Sequence, residues 1–138
     1  MGQNDTAVAE IIARFQGQEL DAHYLAFFEC FNQGLYFEAH EVLEKIWLPR
    51  RKEANGLFYK GLIQLAGALV HLQKNRLRPA AALFDLALAN LRRYTPTYEG
   101  LDVKNIIGMV GPWRRQLEES GFTQNPLHCK APLQIGLV

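Results

Sequence analysis

The sequence predicts an all-α fold: an antiparallel bundle of five to six helices around a long central helix at about residues 53–75. Three observations predict it. Apolar residues recur at helical spacing along nearly the whole chain, and runs of β-branched residues are missing. Gly, Pro and Asn punctuate that pattern at intervals that suit short turns between antiparallel helices. The chain has 138 residues, 49% of them hydrophobic and 21% charged, which excludes a disordered or fibrous protein. A single domain over 1–138 is expected, since a chain of this length buries roughly two-thirds of its unfolded surface and needs no metal or disulfide to fold.

The first helix is expected over 5–16, capped by Asp5 or Asn4 and stopped by Gly17. The second, about 19–32, carries Leu20, Tyr24, Phe27, Phe28 and Phe31 at core spacing and ends at Asn32-Gln33-Gly34. The third covers about 36–48 and stops at Pro49. The fourth, about 53–75, is apolar around most of its circumference and is therefore placed at the centre, with Asn75 as its stop. Pro79 suits the first turn of a fifth helix, about 79–94, which is one-sided: Ala80, Leu83, Phe84, Ala87, Leu88 and Leu91 share a face. A last helical segment starts near Asp102, and Gly108, Gly111 and Pro112 are expected to break it. Residues 122–138 read as an extended tail.

Charge is uneven. Residues 1–48 carry eight acids against Arg14 and Lys45, a local −6, and residues 49–138 carry thirteen bases against six acids, a local +7. Packing an acidic hairpin on a basic one cancels most of this, and no basic run is interleaved with aromatics, which argues against a nucleic-acid partner. Arg50-Arg51-Lys52, with Arg92 and Arg93 brought to the same end of the bundle, read as a solvated rim. Cys30 and Cys129 form no C-x-x-C pair and are expected as two reduced thiols in a cytoplasmic protein. No apolar stretch approaches the roughly 20 residues of a membrane helix, so no membrane partner is expected. The opening Met1-Gly2-Gln3-Asn4-Asp5-Thr6 fits a myristoylation pattern too short to carry weight.

The densest polar cluster lies in the third helix, Tyr36-Phe37-Glu38-Ala39-His40-Glu41-Val42-Leu43-Glu44-Lys45-Ile46-Trp47. Ala39, Val42, Leu43 and Ile46 form the apolar face, and His40, Glu44 and Trp47 line its border at i, i+4 and i+7. The polar exceptions on the fourth helix, Lys60, Gln64 and His71, also fall on one line, with Gly67 and Ala68 between them to admit a close neighbour. In an antiparallel hairpin the two strips can face each other. Three readings follow. The first is a satisfied polar network that sets register. The second is a pocket for a small ligand or for general acid/base chemistry, with His40 or His71 oriented by Glu44. The third is a metal site of His40, Glu44 and His71, although the paired Glu-x-x-His motif of di-metal bundles is absent.

These residues also carry a resemblance. Phe31 through Glu41 with Glu44 and Trp47, then Gly61-Leu62-Ile63-Gln64-Leu65-Ala66 with Ala68, His71 and Asn75, then Ala80 through Leu91, resemble the three blocks of a prokaryotic family catalogued as domain of unknown function 309. The resemblance spans about residues 25–95; where the family has Gly before the third block, this chain has Pro79. It implies a compact helical domain, supports the residues above as its site, and implies no activity. No nucleophile, phosphate loop or oxyanion-type loop accompanies the acid/base candidates, so a binding or structural role without catalysis or cofactor is expected. A metal-dependent hydrolase is one alternative. A tetratricopeptide-like interaction module is the other, since Asn75–Pro96 resembles one such helix pair, but at most two units can be counted where an array needs about three. A homodimer is expected through Phe27, Phe28, Phe31 and the tail.

Overall fold

Helical spacing becomes α1 (Asp5–Arg14), α2 (Ala22–Asn32), α3 (Tyr36–Arg50), α4 (Gly56–Gln73), α5 (Leu77–Leu91) and α6 (Val103–Glu119) in the computed structural model, which describes residues 5–17 and 20–138. Each helix packs on the one before it, and α4 is clasped between α3 and α5. The apolar circumference of α4 explains its place: Phe58, Leu62, Leu65, Leu69 and Leu72 are each at most 1% exposed. Glycine brings α5 close. A side chain at Gly61 would meet Leu91 at 3.0 Å and one at Gly67 would meet Leu83 at 3.2 Å. The all-α bundle read from the sequence is the fold, with α4 at its centre.

The boundaries differ where side chains override local signals. Asp21 caps α2 by accepting from the backbone N–H of His23 at 2.7 Å; the expected start at residue 19, and Asn4 as a cap for α1, lie outside the described residues. Pro49 does not stop α3 but sits in its last turn, where one lost hydrogen bond is tolerated. The Arg50 and Arg51 guanidiniums donate back to the carbonyls of Ile46 and Leu48 there. Helix α4 ends by the left-handed route, with Asn75 at φ 56° and Arg76 N–H donating to the His71 carbonyl at 2.8 Å. The expected break at Gly108, Gly111 and Pro112 is not there, because α6 runs through all three. Its buried face of Val103, Ile106, Val110, Trp113 and Leu117 continues across the proline. Glycine at position 108, four residues earlier, leaves the backbone free to make room for the ring. Arg114 then locks α6 to α5 with two bonds to Asp85, at 2.8 and 3.1 Å.

Between α5 and α6 a short hairpin, β1 (Thr97–Tyr98) and β2 (Leu101–Asp102), turns through Glu99 and Gly100, both at positive φ. Nothing in the helical periodicity announced it. The tail runs back over the bundle rather than away from it. Asn125, 5% exposed, donates to the carbonyls of Leu72 and of the Asn75 side chain, and Leu133 and Ile135 are buried. The Phe27/Phe28/Phe31 patch expected to drive dimerisation is therefore corrected: these rings are 0%, 6% and 0% exposed, inside the aromatic core of α2. Cys30 is buried and Cys129 exposed, both free; burial, with Glu38 and Glu29 nearby, pushes the Cys30 thiol up to about 11, which leaves it inert at neutral pH.

Candidate functional site

The strip on α3 forms as its spacing dictates, at the half-exposed border of the helix, where His40 Nδ1 is buried with no hydrogen-bond partner. His40 Nε2 stands 3.3 Å from Glu44 Oε1 one turn on, with the two side chains 31% and 45% exposed. Phe37, on the same outer side, stacks near the imidazole at 6.2 Å between centroids. Trp47 reaches across to α4, where the Lys60 ammonium sits 4.4 Å from the ring centroid, a cation–π contact.

Gln64 does not join His40 and Glu44. Its carbonyl oxygen accepts from Asn90 Nδ2 of α5 at 2.8 Å. The small residues on α4 admit α5, not the polar strip of α3, and Gln64 turns with them. His71, farther along, has a buried Nδ1 with no hydrogen-bond partner, and burial, with Arg76 and Lys74 nearby, lowers its pKa below the ordinary imidazole value. Among the described residues no hydrogen bond or ion pair joins His40 or Glu44 to Gln64 or His71. The interior His/Glu/Gln cluster resolves into three local pairings: His40–Glu44, Trp47–Lys60 and Gln64–Asn90. Nor is there, among the described residues, any group of three or more His, Cys, Asp or Glu side chains that could hold a metal ion.

What Glu44 does border is a groove. Helix α1 leans on α2 and leaves an open channel against α3 of about 500 Å³. Val8, Ala9, Ile12, Val42 and Leu48 give it an apolar floor, while Asp5, Glu38, Glu41 and Glu44 stand around it with Lys45 as the lone cation among its described lining residues. Leu48 is 56% exposed. The helical spacing of α3 alone does not announce this groove. The available signal was the apolar side of α1, Val8 and Ile12, one turn apart and facing the acidic side of α3.

The buried polar chemistry lies elsewhere. At the hairpin, Glu99 Oε1 accepts from the Tyr59 hydroxyl at 2.6 Å, Oε2 from Asn55 Nδ2 at 3.4 Å, and the Glu99 backbone carbonyl from the Tyr24 hydroxyl at 2.9 Å. Both phenols are pushed far above their ordinary pKa, chiefly by burial and further by Glu99. They act as fixed donors. Tyr94 adds a bond to the Ala54 carbonyl at 2.7 Å, and its ring packs with Phe58 and Tyr98. This network ties the hairpin to the starts of α2 and α4.

The fold and its surface define a small helical-bundle domain with an acid-rimmed groove beside a His–Glu strip. Residues 24–83, from α2 into α5, match the family model described as domain of unknown function (DUF309). An uncharacterized protein of Aquifex aeolicus (strain VF5) is 26% identical over 105 residues, covering 75% of this chain and 32% of that protein. The chain thus spans about a third of the length of the curated relative it matches. No solved structure matches it.

Proposed function

We propose that residues 1–138 act as one non-catalytic binding unit whose α1/α3 groove takes a small ligand with an apolar body and a cationic group. The observation that carries this reading is the groove itself: about 500 Å³, within the size range of small-ligand sites, apolar at its floor and bordered by the carboxylates of Glu41 and Glu44. Desolvating an alkyl chain on Val8, Ile12, Val42 and Leu48 supplies affinity, and the carboxylates select charge. His40 supports this role as a positioning residue. Its contact with Glu44 holds that carboxylate on the α3 strip beside the groove.

The test compares hexylamine with hexanol in thermal unfolding of the wild type and of Glu44→Gln. Stabilisation of the wild type by the amine, larger than by the alcohol and reduced in Glu44→Gln, supports the reading. Equal shifts by amine and alcohol, or no shift by either, overturn it.

A further inference from the structure

The tail is held in a manner that does not depend on its being covalently attached. The Asn32 side-chain amide reads one residue of the tail's backbone from both sides: Nδ2 donates to the Ile135 carbonyl at 2.6 Å, and Oδ1 accepts from the Ile135 N–H at 2.8 Å. Gln134 returns a bond from its side chain to the Asn32 carbonyl at 3.2 Å. Two residues on, Leu137 forms an antiparallel bridge with Leu101 of β2, and Val138 N–H donates to the Gly100 carbonyl at 2.8 Å. The side chains alternate as in a strand: Leu133 and Ile135 are buried at 5% and 3%, Gln134 and Gly136 are exposed. Asn32 and the hairpin edge therefore form a receptor for an extended peptide with apolar residues at alternate positions, a β-addition mode of recognition.

Two features separate this end of the tail from the fold proper. The buried Asn125 pins the chain to the end of α4, its Oδ1 accepts from Leu127 N–H at 3.0 Å, and Lys130 N–H donates to the Pro126 carbonyl at 2.9 Å, so the fixed part runs to residue 130. Ala131 and Pro132 that follow are exposed and make no hydrogen bond to the bundle among the described residues.

We propose that this groove is a peptide-docking site and that its occupant in trans is the tail of a second copy, exchanged about Ala131-Pro132. Every copy carries the peptide the groove is shown to hold. Mutual exchange forms no new type of contact, leaves no groove empty and closes with two-fold symmetry, which is the low-cost route to a dimer. The partner copy would contribute Leu133, Ile135 and Leu137, and each site would be incomplete without one tail or the other. This assigns self-association to the tail rather than to the aromatic patch of α2, which is buried.

Light scattering on the full chain, equilibrated between about 10 µM and about 1 mM, spans the millimolar effective concentration against which a second tail must compete. The expected result is a mass that rises towards twice the monomer in the wild type, stays monomeric in Asn32→Ala, and returns to the monomer when excess synthetic peptide of the 131–138 sequence is added. Asn32→Asp, which keeps the acceptor for Ile135 N–H and loses the donor, should fall between. If Asn32→Ala loses its helical far-ultraviolet spectrum, Ile135→Ser tests the same contact from the tail's side and should also remain monomeric. A wild type monomeric throughout, or a dimer that persists in both substitutions and in excess peptide, overturns the proposal.

Discussion

Two polar constellations in this bundle behave in opposite ways. The His40–Glu44 pair and its neighbours come from positions one or two turns apart on a helix, look concentrated in the sequence, and end half-exposed with few bonds between helices. The Glu99 network joins residues 40, 44 and 75 positions apart, is invisible in the sequence, and fastens a hairpin to two helices. The difference teaches that a dense polar motif on a helix marks a surface, whereas polar groups that must be satisfied inside are collected singly from distant elements.

The contrast breaks first at the Glu99 network, where the largest effect is expected. Tyr59→Phe removes the donor to a carboxylate in a partly buried setting and should cost about 1.5–3 kcal/mol in urea unfolding, as hydrogen bonds to charged groups do. Asn90→Ala comes next. It leaves the Gln64 carbonyl without its partner between α4 and α5, and about 0.5–1.5 kcal/mol is expected from the same measurement. Smaller still is His40→Ala, whose partner Glu44 is already solvated, so that a loss of about 0–1 kcal/mol is expected. A His40→Ala cost above that of Tyr59→Phe would reverse the comparison.

The smallest expected effect concerns pH. Burial, with Arg76 and Lys74 nearby, lowers the His71 pKa from the 6.5 of the free side chain, so the folded state binds fewer protons at this group than the unfolded state. Its contribution is undiminished above the ordinary imidazole range and is lost progressively as pH falls through it, until the lower folded-state pKa is passed. His71→Gln should therefore flatten part of the decline in the unfolding midpoint on acidification. An unchanged decline would show that His71 is not its source.

Much of the architecture was legible because it rests on local periodicity. The apolar circumference of α4 placed it in the centre, and the one-sidedness of α5 placed α5 against it. What misled was punctuation. Pro49 and Pro112 looked like stops, but a helix whose buried face continues past a proline, as Val110, Trp113 and Leu117 do, gains more from packing than one lost hydrogen bond costs. The hairpin and the docked tail depend on pairings such as Asn32 with Ile135, which no spacing rule encodes. For the candidate site, His40 next to Glu44 was readable from i, i+4 spacing. The company of Gln64 was not, because Gly61 and Gly67 draw in α5, and Gln64 turns to Asn90 there instead of to α3.

We propose that the polar motif of α3 serves the groove on its outer side rather than the register of the core. Amide and methyl NMR spectra recorded during a hexylamine titration test it most directly. Amine binding in the groove should give saturable shifts clustered at Val8, Ile12, Val42 and Leu48, weakened in Glu44→Gln, with the Trp47 indole and the Gln64 side-chain amide little changed. Shifts centred on Trp47, Lys60 and Gln64 with α1 silent, or none at any of these positions, would contradict it.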